Sequence, residues 1–144
     1  MRETDTRTKA GDPRSLTVGE IMERQVVTCL PDTDGLMIAK ILSERRIGSL
    51  PVAGADQSLV GLVSEYDLLD AILEGRDLRK LSAAELMTRD VLTVAQEATV
   101  EELCKLFRDR FLTRVPVVRG RRIVGVAARS DVLAAAAKTL THWS

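Results

Sequence analysis

Apolar positions along the chain change period several times, so helices and strands are predicted to alternate. Thr17 and Glu20 have the spacing of a capping box and predict a short helix to about Met22. "VVTC" at 26–29 reads as a brief β-branched strand, ended by Pro31 and Asp32. "TDGLMIAKILSERR" sets Leu36, Ile38, Ala39, Ile41 and Leu42 mostly on one helical stripe. "SLPVA" and "SLVGLVS" read as short strands about a turn at "GADQ". "SEYDLLDAILEG" then predicts a helix with Leu68, Leu69 and Ile72 inward and Gly75 as its stop.

The series occurs twice. "TVGEIMERQVVTC" at 17–29 returns as "SAAELMTRDVLTV" at 82–94, and "ILSERRIGSLPVA" at 41–53 as "LFRDRFLTRVPVV" at 106–118, both at an offset of 65. The offset falls to 64 where "LVGLVSEYDLL" meets "IVGVAARSDVL", as expected if a turn between fixed strands lost one residue. The second copy continues with "TVEELCKLFRDR", a tight turn at Arg119–Gly120 and an alanine-rich last helix. The organisation is predicted as a disordered tail at 1–15, a first repeat at 16–76, a linker at 77–81, a second repeat at 82–138 and a C-terminal tail at 139–144. Strand, helix, strand, hairpin strand and helix give a three-stranded sheet with helices on one side. That unit leaves apolar surface uncovered, which two copies would bury about a pseudo-twofold axis with a cleft on either side. The predicted fold is α/β, two tandem repeats each of the form short helix-β-α-β-β-α.

Composition narrows the function. The chain has 144 residues, 45% of them apolar, enough to fill a core without staples. Cys29 and Cys104 have no paired spacing, which predicts reduced thiols in a cytoplasmic protein. No apolar run approaches a membrane span, and no apolar signal region precedes the first repeat. Lysine and arginine balance aspartate and glutamate overall, but residues 1–81 carry 11 basic and 14 acidic side chains and residues 82–144 carry 10 and 7. Arg108, Arg110, Arg114, Arg119, Arg121, Arg122 and Arg129 crowd the second copy, which fits a phosphate ligand or a solvated face. Two phenylalanines, one tyrosine and one tryptophan offer little stacking surface, so nucleic acid is not expected as a partner. The single histidine, His142, lies near the end of the chain and no triad, metal-ligand spacing or phosphate loop is present, so no enzyme activity and no metal are expected.

The segment "GLVSEYDLL" at 61–69 raises one further question, because Ser64 and Asp67 can cap a helix or hold a ligand. "IGSLPVA" with "GLVSEYDLL", and "LTRVPVV" with "GVAARSDVL", resemble the CBS-domain family, named for cystathionine β-synthase, over about residues 17–138. Tandem copies in that family form a Bateman module that binds adenosine-containing ligands in two clefts. The resemblance implies that the hydroxyl and carboxylate of the Gly-x-x-Ser/Thr-x-x-Asp segment hold phosphate and ribose. A carboxylate at a helix start can accept from both ribose hydroxyls, a charge-assisted contact worth roughly 1.5–3 kcal/mol.

By that similarity each cleft takes its Asp from one copy and its base-contacting wall from the other. The main cleft would comprise Ser64, Asp67, Met87, Val91, Leu92, Leu112, Thr113 and Arg114, with Arg114 on phosphate. The second would comprise Met22, Val26, Val27, Ile47, Gly48, Ser49 and Asp131, and it is degenerate because Ala128 stands where the hydroxyl should be. The resemblance implies a regulatory ligand such as AMP, ADP, ATP or S-adenosylmethionine, a homodimer, and an effector protein not named by the sequence. The alternative is a docking module whose clefts stay empty.

Overall fold

The computed structural model describes residues 11–143. Its elements are α1 (Val18–Ile21), α2 (Gly35–Arg45), β1 (Ser49–Ala53), β2 (Leu59–Ser64), α3 (Glu65–Leu73), α4 (Ala83–Leu86), β3 (Val94–Ala95), α5 (Val100–Arg110), β4 (Arg114–Arg119), β5 (Arg122–Ala128) and α6 (Arg129–Trp143). Short 3-10 turns at Pro13–Ser15 and Leu78–Lys80 precede α1 and α4. The chain is thus a mixed α/β protein made of two tandem repeats.

The residues gather into two compact units that are not the two repeats. Unit 1 holds residues 11–26, 93–119 and 124–143, and unit 2 holds 27–92 and 120–123. The leading helix of each copy has changed places. In unit 1, Val18 of α1 is fully buried with Leu103, Phe107, Val115, Val117 and Ala127 of the second copy. Its backbone is held there, because Val18 N–H donates to the Ala98 carbonyl at 2.8 Å and Gly19 N–H to that of Gln96 at 2.9 Å. In unit 2, Ala83 of α4 is buried with Ile38, Leu42, Leu50, Val52 and Val63 of the first copy. Ala83 and Ala84 donate to Thr33 and Pro31 at 2.7 and 2.9 Å, the matching positions. A four-residue helix cannot hold itself together in water, so what fixes α1 and α4 is this docking and their capping boxes, Thr17–Glu20 and Ser82–Glu85.

Several elements differ from the sequence-based expectation. Residues 1–10 lie outside the described residues, but 11–15 are not a tail: Asp12 caps the Pro13–Ser15 turn, which packs on α5 and α6. The expected linker at 77–81 holds the Leu78–Lys80 turn, capped by Asp77. The expected C-terminal tail is helical to Trp143, since α6 meets no breaker at residue 138. The strand at 26–29 shrinks to a bridge between Cys29 and Val52. Unit 2 therefore has a two-stranded β1-β2 sheet, while unit 1 keeps the expected three strands in the order β3-β4-β5. On α3 the buried residues are Leu68 and Ala71, whereas Leu69 and Ile72, expected inward, are 55% and 56% exposed.

Candidate functional site

In unit 2 the end of β2 turns directly into α3. Ser64 is the N-cap, and Asp67 reaches back so that Oδ2 accepts from the Ser64 N–H at 2.7 Å and lies 3.1 Å from Oγ. The Asp67 N–H in turn donates to Ser64 Oγ at 3.3 Å, which completes the box. Asp67 is half-buried, and among the described residues no hydrogen bond engages its second carboxylate oxygen. One oxygen therefore caps the helix while the other is available to an outside donor. The two readings of Asp67 are compatible in one geometry.

Three other predicted residues stand around this corner. The β1-β2 register sets Ser49 opposite Ser64, and the Glu65 N–H donates to the Gly48 carbonyl at 2.9 Å. Ile47, Gly48 and Ser49, expected to complete the cleft of Asp131, thus adjoin the Ser64 corner within unit 2. Met87, just past α4, lies over Gly61, where any Cβ would run into its thioether and into the Thr88 carbonyl. The strand continues that contact, with Leu62 and Thr88 exchanging both backbone hydrogen bonds at 2.9 Å. Met87 is therefore seated on β2, the strand that ends at Ser64. Val91 and Leu92 follow in irregular backbone at the end of unit 2, half-buried and exposed respectively.

Unit 1 repeats the corner with different side chains. Met22 lies over Gly125 and Glu23 pairs with Val126 through two 2.9 Å hydrogen bonds, which seats Met22 on β5, the strand that leads to Asp131. Asp131 Oδ2 accepts from the Ala128 N–H at 2.8 Å, but Ala128 offers no hydroxyl to the Asp131 N–H. Leu112, Thr113 and Arg114 adjoin this corner, with the Arg129 N–H on the Thr113 carbonyl at 3.0 Å. Arg114, expected with Asp67, feels Asp131 within its own unit. Burial lowers its guanidinium pKa and the Asp131 charge opposes that shift. Val26 ends unit 1 and Val27 begins unit 2, both half-buried.

The structure thus equips one corner with two hydroxyls and a carboxylate, and the other with a carboxylate and a guanidinium. Sequence reasoning passed over the reason for the motif's glycine: Gly61 and Gly125 are seats for methionines of the leading helices. The lone glycine in each apolar strand was the available signal. Burial pushes the Cys29 thiol up to about 11, which suits a core residue. Among the described residues no helix is long and apolar enough to cross a membrane, and no group of three or more His, Cys, Asp or Glu residues is placed to hold a metal ion.

Comparison with known proteins places this geometry. The chain is 29% identical over 108 residues to hypoxic response protein 1 of Mycobacterium tuberculosis, covering 74% of this chain and 76% of that protein. It is 30% identical over 122 residues to an uncharacterized protein of Methanopyrus kandleri, covering 83% of this chain but only 62% of that protein's length. Among solved structures it is similar to CBSX2 in complex with AMP, with a TM-score of 0.76 and 29% identity over 86% of this chain and 98% of the other. It is also similar to the CBS domain pair of protein MJ0100 in complex with 5′-methylthioadenosine and S-adenosyl-L-methionine, with a TM-score of 0.72 and 26% identity over 83% and 94%. The family profile of the CBS domain matches residues 18–74 and 83–138, the two copies found by self-comparison, and the chain belongs to the CBS-domain family as a tandem pair.

Proposed function

We propose that this CBS pair is a regulatory protein that binds an adenosine-containing ligand, AMP, ADP, ATP or S-adenosylmethionine, and passes the binding to an effector protein as a conformational change. The observation that carries the reading is Asp67: one carboxylate oxygen is fixed by the Ser64 amide and the other is open to ribose hydroxyls. Ser64 and Ser49 supply hydroxyls beside it, and Met87 an apolar wall. Related CBS pairs hold AMP, 5′-methylthioadenosine and S-adenosylmethionine, which supports the ligand class. The Asp131 corner can grip a ribose without the hydroxyl, with Arg114 as a phosphate contact.

The test is calorimetric titration of the full chain with AMP, ATP and S-adenosylmethionine, beside Asp67→Ala, Asp131→Ala and Arg114→Ala variants. Loss of one charge-assisted contact should weaken binding by about 10- to 100-fold, and saturating ligand at a hundredfold above Kd should stabilise the fold by about 2.7 kcal/mol. If Arg114→Ala reproduces the Asp67→Ala defect, the guanidinium serves the ligand of Asp67, as the sequence grouping holds. If it reproduces the Asp131→Ala defect, it serves its own unit. Absence of heat and of stabilisation with every ligand overturns the sensor reading and leaves the docking module, which the exposed apolar residues of α3 favour.

A further inference from the structure

The two corners differ in charge as well as in hydroxyls. At the Ser64 corner the Glu65 carboxylate leans over the start of β1, with Oε1 3.5 Å from where a Cβ on Gly48 would sit. Ser49 follows with a neutral hydroxyl, and Asp67 adds a second carboxylate on the same turn. Among the described residues no ion pair neutralises Glu65 or Asp67. Three backbone donors of this turn are engaged as well: Ser64 N–H on Asp67 Oδ2, Glu65 N–H on the Gly48 carbonyl and Asp67 N–H on Ser64 Oγ. The corner is rich in acceptors and has little beyond hydroxyl protons to give an anion.

Equivalent positions in unit 1 carry the opposite sign. Arg114 stands in the place of Ser49 and Arg129 in that of Glu65, while Asp131 matches Asp67. The Arg114 guanidinium is half-buried and feels the Asp131 charge, whereas the Arg129 side chain lines the cavity between α5 and α6. Arg114 is therefore the cation of this corner. Arg24 and Arg89 hold equivalent places after the two methionines and do not distinguish the corners. Glu23, in the place of Thr88, turns its carboxylate to the Gln25 N–H at 2.9 Å.

We propose, resting on the sensor reading above, that the corners sort adenosine ligands by the charge of the 5′ group. The Ser64 corner takes those whose 5′ group bears no negative charge, a thioether or a sulfonium, and the Asp131 corner takes 5′-phosphates. A carboxylate can grip ribose at either corner, so the choice lies beyond the sugar. Ribose is small, and a 5′ group on a sugar held by Asp67 stays inside the ~8 Å over which salt screens charge from Glu65, two positions away. A phosphate there meets two carboxylates and no partner cation, and such like-charge juxtaposition is costly. A sulfonium is attracted by the same carboxylates, and a thioether is indifferent to them. At the Asp131 corner the planar fork of Arg114 suits phosphate oxygens.

Calorimetric titration of the full chain with 5′-methylthioadenosine and with AMP tests the sorting, because the two share adenosine and differ in the charge of the 5′ group. Asp67→Asn keeps an oxygen for the Ser64 N–H and should weaken 5′-methylthioadenosine by about tenfold or more. Asp131→Asn and Arg114→Ala should each weaken AMP by about tenfold or more. Ser49→Arg combined with Glu65→Gln gives the Ser64 corner the missing cation and should admit a second equivalent of AMP, a gain that a damaged fold cannot produce. In the parent chain, saturating AMP should leave 5′-methylthioadenosine able to bind. Mutual displacement of the two ligands in the parent, loss of AMP in Asp67→Asn rather than Asp131→Asn, or no second AMP in a double variant that melts like the parent overturns the sorting and leaves the sensor reading standing. Absence of heat with both ligands overturns the two together.

Discussion

Ser64 and Ala128 occupy the same place at the mouth of their helices, and one hydroxyl separates them. In unit 2 that hydroxyl and Asp67 satisfy two backbone donors reciprocally. In unit 1 Asp131 still accepts from the Ala128 N–H, at 2.8 Å, but the return bond is missing. The carboxylate is the part common to both corners, so it does the structural work shared by the copies. The half-buried guanidinium of Arg114 feels the Asp131 charge, and small Ser49 occupies its place in the first copy. What differs between the corners is thus the set of groups that can meet an anion, while the backbone turn is the same.

The largest expected effect tests what the copies share. Gly61 and Gly125 each lie under a methionine, with a carbonyl 3.0 Å from where a Cβ would sit. Gly61→Val and Gly125→Val should each destabilise by about 1–3 kcal/mol in urea unfolding, by overpacking. A large loss at one glycine and none at the other would break the equivalence of the corners.

A smaller effect tests what they do not share. Ser64→Ala should cost about 1 kcal/mol, because it removes the cap of α3. Ala128→Ser should return up to about 1 kcal/mol by supplying the missing acceptor for the Asp131 N–H. Ala128 is buried, 9% exposed, so the added hydroxyl is stabilising only if it makes that bond. Thermal melting of both variants measures the value of the hydroxyl from opposite directions.

These corners show which features a sequence carries openly. The repeat, the capping spacing of Thr17–Glu20 and Ser64–Asp67, and the stop at Gly75, with φ 75°, depend on neighbours in the chain and were legible. The exchange of α1 and α4 was not, because a short amphipathic helix fits either of two similar bodies and its pattern does not say which. Leu69 and Ile72 misled for a related reason: α3 has apolar residues on two sides, and spacing alone does not tell the core side from the solvent side. Residues 26–29 have strand propensity, yet only Cys29 finds a partner strand. Arg114 and Asp131 are 17 positions apart, and their proximity follows from the β4-β5-α6 path.

The smallest predicted effect concerns acid. The long helix of the second copy, α5, starts with the box Thr99–Glu102, whereas its counterpart α2 has a single cap from Asp34 to the Met37 N–H at 2.9 Å. The backbone N–H of Thr99, then its hydroxyl, hold the Glu102 carboxyl below its ordinary range, and Ser82 does the same for Glu85. A carboxyl whose folded pKa is depressed contributes stability above its unfolded pKa, near 4.5, and loses it as pH falls towards the folded value. Both groups are solvent-exposed, so the contribution is modest. Glu102→Gln keeps an acceptor for the Thr99 N–H but removes the titration. The variant should therefore unfold with a shallower dependence on pH below about 4.5 than the parent, and with the same dependence above it. An unchanged acid limb in Glu102→Gln together with Glu85→Gln would mean that these two boxes hold their carboxylates no more tightly than water does, and that α4 and α5 owe their starts to docking alone.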